Sequence, residues 1–226
     1  MIQSGSWLDT DGLSRALLGW WKVSGRNYPW RARRTPYRVF ISEALLHRTR
    51  AAQVQPVYEK FITQYPSFRI LADSDQEELV SMLRPLGLFW RSRMLVNAAR
   101  QIVDQYDGQL PEEKNELQLL PGIGSYISSA IRCFAFGFPE VLLDTNTVRV
   151  LGRIFSEKIT DSSRRSHRFR SLGARLMDRE QPANFGYAMI DLAALVCVPR
   201  NPKCQVCPIA NYCRYGLSHR SELRRR

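Results

Sequence analysis

No run in this chain is apolar for the length that a membrane-spanning helix needs, and no apolar signal segment follows Met1. No helical pattern separates basic from apolar faces as a membrane-surface helix would. No stretch alternates polar and apolar residues long enough to argue for a strand, so a sheet-based fold is not expected. Internal repeats are missing, and no Gly/Ser or Pro linker divides the chain. Cysteine is scarce, with five in 226 residues. With no signal segment, that scarcity argues against a secreted disulfide scaffold and for reduced thiols in an intracellular protein.

Acid is also scarce relative to base. Asp and Glu number 21 against 33 Lys and Arg, a formal net charge of +12. Lysine supplies only 5 of the 33 basic residues, leaving 28 arginines. Arginine makes bidentate phosphate contacts that lysine cannot, although a high-GC genome would enrich it for no mechanical reason. The balance favours a polyanionic partner, of which nucleic acid is the commonest. At 44% hydrophobic residues the chain has the material for one or two ordinary cores.

What is present is helical periodicity. It predicts helices over 13–23, 37–49, 51–64, 74–83, 90–106, 112–119, 125–136, from Asp144 to 155, 164–177 and 187–196. Thr35 caps the second of these with Pro36 at its first position, and Ser74 is the expected cap of the fourth. The tail 218–226 reads as disordered, with Arg224, Arg225 and Arg226 adding counter-charge for phosphate.

Four cysteines crowd one stretch, Cys197, Cys204, Cys207 and Cys213, a C-x6-C-x2-C-x5-C run. Thiolate-only ligation with uneven gaps suits a cuboidal [4Fe–4S] cluster, while structural zinc, which prefers two close pairs, is the competing reading. Cys133, in an apolar run, reads as a small buried hydrophobe. Upstream, Leu120-Pro121-Gly122-Ile123-Gly124-Ser125 joins two helices through two glycines, and the N–H groups at the start of the second helix suit a phosphate. The same glycines are equally explained by backbone geometry alone. Asp144 follows an apolar run at a helix start, where it is a cap or a functional carboxylate. Glu43 has Val39, Phe40, Leu46 and His47 as its helical neighbours, so it is either a buried partner of an arginine or a functional acid.

In this order, the hairpin 120–124, the segment Leu143-Asp144-Thr145-Asn146-Thr147-Val148-Arg149-Val150 and the four-cysteine spacing resemble the endonuclease III superfamily of helix-hairpin-helix DNA glycosylases over nearly the full length. The resemblance implies an all-α fold of two helical domains flanking a DNA-binding groove. One is a six-helix module over 29–138 carrying the hairpin. The other combines 1–28 with 139–226 and carries the [4Fe–4S] cluster on a loop at 197–213. One nucleotide would be flipped from the duplex into a pocket.

Ser42-Glu43-Ala44-Leu45-Leu46-His47-Arg48-Thr49 and Asn27-Tyr28-Pro29-Trp30-Arg31 look like the adenine and thymine mismatch glycosylases of that superfamily. Endonuclease III carries a lysine where this chain has Tyr126. An amine can form a Schiff base with the sugar and a phenol cannot, so an enzyme without lyase activity is expected. Adenine glycosylases carry a Ser-like residue there and tend to have a further C-terminal domain, whereas this chain stops at Arg226.

The resemblance implies that Asp144 stabilises positive charge on the sugar and helps activate water. Glu43 would bind the flipped base, and Tyr126 would shape its pocket. Leu88 would wedge into the gap left by the base, and His47 and Arg48 would meet the orphaned guanine. Pro121, Gly122, Ile123, Gly124 and Ser125 would hold phosphate, as would Arg200 and Lys203 in the cysteine loop. The expected substrate is double-stranded DNA with thymine or uracil opposite guanine, with adenine opposite 8-oxoguanine as the alternative. The expected protein is a monomer in the cytoplasm or on the nucleoid. A non-catalytic DNA-binding cluster protein remains a further alternative.

Overall fold

The computed structural model describes residues 8–223, and among these every regular element is a helix. In chain order they are α1 Thr10–Ser24, α2 Pro29–Ala32, α3 Pro36–Leu46, α4 Ala51–Gln64, α5 Phe68–Ala72, α6 Gln76–Leu83 and α7 Arg91–Tyr106. Then follow α8 Lys114–Leu119, α9 Ser125–Phe134, α10 Thr145–Phe155, α11 His167–Leu176, α12 Pro182–Leu195 and α13 Arg214–Leu223. Short 3-10 turns at Arg84–Leu86, Ser163–Arg165, Cys204–Val206 and Ala210–Tyr212 complete the path.

Local chemistry marks most of the helix starts. Pro29, Pro36 and Pro182 open α2, α3 and α12, where the missing N–H costs no intrahelical bond. Asp9, Thr35 and Ser67 accept from the third residue beyond, capping α1, α3 and α5. At α6 the cap is Asp75, whose carboxylate accepts from Glu78 N at 2.8 Å, and not the expected Ser74. The Ser74 hydroxyl instead donates back to Leu71 O at 2.7 Å, closing α5. The short α2 and α5 went unpredicted because four or five residues carry too little periodicity. The tail expectation also fails in part, since Ser218–Leu223 lies within α13. Arg224, Arg225 and Arg226 lie outside the described residues.

The chain forms two compact units, Asn27–Phe136 and the discontinuous Met1–Arg26 with Gly137–Arg226. In the first unit, α3 is buried at every position from Val39 to Leu45 and packs on α4 and α9. Aromatic side chains fill the space around it. Trp30 meets Tyr58 edge-on with centroids 5.4 Å apart, and Phe68 meets Tyr37 at 4.8 Å.

In the second unit, Leu13 and Leu17 of α1, Val148 and Leu151 of α10, Leu172 of α11 and Leu192 of α12 share one core. Each such burial contributes about 1.5–3 kcal/mol. The end of α1 is fixed to α12 by Asp191, a fully buried carboxylate. It accepts from Arg26 Nε at 2.6 Å, Arg26 N at 2.9 Å and Trp21 Nε1 at 3.0 Å. Paired in this way, the charge avoids the several kcal/mol that an unpartnered buried ion costs.

Candidate functional site

Asp144 is the N-cap of α10 and is half-buried. Its Oδ1 accepts from Thr147 N at 2.7 Å, Asn146 N at 2.9 Å and the Thr147 hydroxyl at 3.0 Å, while Oδ2 accepts from Asn146 Nδ2 at 2.9 Å. Thr147 Oγ1 in turn accepts from Asp144 N at 2.9 Å, closing a capping box. The carboxylate is therefore aimed by its own helix, which is the preorganisation that electrostatic catalysis requires.

Two arginines one turn apart on α10 run from this cap to the cysteine loop. Arg149 donates from Nη1 to Asn146 Oδ1 at 3.1 Å, from Nε to Cys197 O at 2.9 Å and from Nη2 to Ala193 O at 2.9 Å. Arg153 donates from Nη1 to Cys197 Sγ at 3.2 Å and Val198 O at 2.8 Å, and from Nη2 to Pro199 O at 2.9 Å. Its guanidinium also lies over the Tyr215 ring of α13 at 5.1 Å. The loop that results carries Arg200 and Lys203, both exposed, and turns at Asn201 in the left-handed region.

Cys197, Cys204, Cys207 and Cys213 carry no disulfide and line one recess together with Ile154, Leu192, Val196 and Ile209. Among the described residues no three His, Cys, Asp or Glu side chains converge as a single metal ion requires. A cubane with separate corners takes its ligands from a wider set. Burial pushes the Cys207 thiol up to about 12 and Cys213 up to about 11, so these sulfurs are inert unless a metal takes them as thiolates. Donors for such sulfurs are present: Gly216 N reaches Cys213 Sγ at 3.4 Å, beside the Arg153 bond to Cys197. The donor set fits a [4Fe–4S] cluster. Cys133, fully buried, lies on α9 in the other unit.

The hairpin joins α8 to α9. Gly122 has φ +80, which calls for glycine, and a Cβ there would stand 2.1 Å from Met94 Sδ of α7, so the flexible Met94 side chain would have to move to admit one. Gly124 differs. As N-cap of α9 it has φ −86, which any residue adopts, and a Cβ there would meet nothing within 4 Å. No side-chain hydrogen bond caps α9 at Gly124, and Gly124 and Ser125 at its start are both exposed. Pro121 is half-buried and Ile123 is buried, with Ile123 N bonded to Leu120 O at 3.1 Å.

Tyr126 sits half-buried in the first turn of α9, and α9 packs on α3, which carries the buried Glu43. The first unit thus brings together the elements of these two residues, while Asp144 belongs to the second. At the end of α3, His47 is the C-cap and Arg48 turns the chain at φ +65. Leu88 does not suit the wedge role expected for it. It is 6% exposed, with its N–H on Leu83 O, whereas its neighbours Phe89 and Trp90 are 55% and 57% exposed. The left-handed turn at Gly87 directs Leu88 into the core, and a wedge must stand clear of the surface. Arg153, which grips the cysteine loop, had no signal in the sequence, whereas Arg149 lies inside the segment 143–150 that carried the resemblance.

The fold and these sites define a helical DNA-repair protein of the glycosylase class. The chain belongs to the HhH-GPD superfamily of base excision DNA repair proteins, whose family model matches residues 41–173. The model of the iron–sulfur binding domain of endonuclease III matches residues 197–213, the stretch from the first to the last of the four cysteines, and its cofactor is a [4Fe–4S] cluster. Among curated proteins, thymine-DNA glycosylase of Aeropyrum pernix is 36% identical, over 91% of this chain and 94% of its own. The adenine DNA glycosylase of Rattus norvegicus is 34% identical, over 91% of this chain but 42% of its own. A solved structure of a thermostable thymine-DNA glycosylase superposes with a TM-score of 0.86 at 30% identity, covering 92% of this chain and 97% of the other. Among the described residues no helix is long and apolar enough to cross a membrane.

Proposed function

We propose that the protein is a monofunctional mismatch glycosylase that hydrolyses the N-glycosidic bond of thymine or uracil opposite guanine in double-stranded DNA and leaves an abasic site. The observation that carries this reading is Tyr126 in the first turn of α9, taken with the near full-length similarity to proteins named for thymine. A phenol cannot replace water as an amine can, so no Schiff base forms with the sugar.

In this reading the C1′–N1 bond breaks and its electron pair leaves with the base. Asp144 faces the positive charge that grows on the sugar and orients the water that adds to C1′. Glu43 hydrogen-bonds the departing pyrimidine, and Tyr126 packs on its plane. Gly124 and Ser125, with the N–H groups of α9, take a backbone phosphate, and the open space on the side of Gly124 where a Cβ would stand leaves room for that approach. Pro121, Gly122 and Ile123 set the shape of that turn. Phe89 fills the gap left by the flipped base, while His47 and Arg48 meet the orphaned guanine.

When bound, the [4Fe–4S] cluster cross-links four points of the loop 197–213. Cys197, Cys204, Cys207 and Cys213 would hold it, and Arg200 and Lys203 would then present fixed charge to phosphate. The protein acts as a monomer on genomic DNA in the cell.

The test is base release from duplexes holding G·T, G·U or adenine opposite 8-oxoguanine, followed by alkali to break abasic sites. Release from G·T and G·U is expected. Faster release of adenine would favour the second reading, which the similarity to adenine glycosylases supports. Borohydride should trap no covalent adduct with the wild type and should trap one with Tyr126→Lys.

A further inference from the structure

We infer that Arg91 is a positioning residue that locks His47 as a neutral imidazole with its proton on Nε2, so that the exposed edge of His47 offers one hydrogen-bond donor to O6 of the orphaned guanine. The guanine part rests on the function proposed above, whereas the tautomer rests on geometry alone. Arg91 is 2% exposed, and among the described residues its partners are carbonyls and a ring nitrogen with no carboxylate. It donates to Ala44 O near the end of α3, to His47 O at 2.7 Å and, from Nη2, to His47 Nδ1 at 2.8 Å. The negative end of the α3 dipole and its orphaned carbonyls offset the buried charge. The Trp90 ring covers the guanidinium at 4.8 Å.

A guanidinium has five N–H donors and no lone pair to share. At 2.8 Å, His47 Nδ1 must therefore accept, and an accepting nitrogen carries no proton. The one proton of the neutral ring is then on Nε2. Protonating Nδ1 would set donor against donor and cation against cation. Burial, Arg91 and Arg48 together hold His47 below the usual histidine range, which agrees with a neutral ring. The same bonds grip the backbone where Arg48 adopts φ +65, a conformation uncommon outside glycine and one that a surrounding contact must maintain.

A ring locked this way can only donate from its exposed edge. Guanine presents O6, an acceptor, at the position where adenine presents the N6 amino group, a donor. A lone Nε2–H therefore favours guanine as the opposite base, whereas the other tautomer or a freely rotating ring would not.

The test is a long-range 1H–15N correlation of the imidazoles in the uniformly labelled full-length protein. The chain has three histidines, so His47→Gln identifies the signal by its loss. At pH 7 wild type should show protonated Nε2 and bare Nδ1, and Arg91→Lys and Arg91→Met should shift the ring towards a mixture of tautomers. A wild-type His47 with its proton on Nδ1 overturns the inference whether or not the variants fold, and so does an unchanged His47 signal in a folded Arg91 variant. The donor role is read separately, as thymine release opposite guanine against release opposite 2-aminopurine, which lacks O6. His47→Phe should reduce that preference about tenfold, and an equal preference in wild type and variant overturns the donor role. Release from no guanine mispair at all would overturn the underlying function and leave the tautomer result standing.

Discussion

Arg149 joins the aspartate cap to the cysteine loop, because its guanidinium donates at one end to Asn146 Oδ1 and at the other to the carbonyl of Cys197. Asn146 in turn donates to Asp144 Oδ2, so two side chains, Asn146 and Arg149, connect the carboxylate to a cysteine backbone within one unit. Arg149→Leu would leave the carbonyl of Ala193 without this donor, at about 1–3 kcal/mol, while Cys197 O would keep its bond from Arg153 Nη1 at 3.3 Å. The expected result is a fall of several degrees in Tm and a slower single-turnover base release. Differential scanning calorimetry and quenched-flow release measure the two.

Capping and chemistry can be separated at Asp144. Asn caps as well as Asp, so Asp144→Asn should leave Tm nearly unchanged while base release falls on the order of 1000-fold. Asp144→Ala should lose both activity and about 1 kcal/mol of stability. Equal activity of Asp144→Asn and wild type would remove the carboxylate from the mechanism.

The two hairpin glycines should fail in different ways. Gly122→Ala must force a Cβ at φ +80 against Met94, and a loss of about 1–3 kcal/mol in urea denaturation is expected. Gly124→Ala meets open space at an ordinary backbone angle, so its urea midpoint should stay within error. Its affinity for a mispaired duplex should nonetheless drop about tenfold in fluorescence anisotropy, because the added methyl stands where a phosphate approaches.

The cysteines should divide by location. Cys207→Ala should abolish iron incorporation, from about four irons per chain to near none by colorimetric assay. Cys133→Ala, in the core of the other unit, should keep full iron and lose only the stability of a small packed side chain.

His47 implies a pH dependence with a definite sign. Its folded-state value lies below the ordinary 6.5, so between those two values the unfolded chain binds more protons. Stability should rise with pH across that window and be lost as pH falls through it. The difference should be small because the ring is largely solvent-exposed, and it should vanish in His47→Gln. Urea midpoints of both proteins from pH 5 to 7.5 test this.

The residues to which the proposed function gives a chemical role were readable along the chain because each rests on local pattern. Asp144 precedes a helix start, the four cysteines share one loop, and Tyr126 is counted from a glycine hairpin. The helices α1, α4 and α7 follow from apolar spacing for the same reason. Reading failed where a partner lies far away in the sequence. Gly122 and Gly124 look alike until Met94 packs against one of them. Leu88 looks like its exposed neighbours until the turn at Gly87 buries it. Among 28 arginines nothing in composition singles out Arg91, Arg149 or Arg153. The absence of membrane runs and alternating patterns, the excess of base and the cysteine spacing are properties of the linear chain, and they pointed to an all-helical, cysteine-ligating protein with a polyanionic partner, while the iron–sulfur cluster and DNA repair entered with the resemblance carried by the hairpin, the Asp144 segment and the cysteine spacing. Which arginines are structural and which way the ring of His47 faces its proton depend on carbonyls and nitrogens brought within hydrogen-bond distance only when α3 meets α7 and α10 crosses the cysteine loop, because a donor's role is set by the acceptor that packing delivers to it.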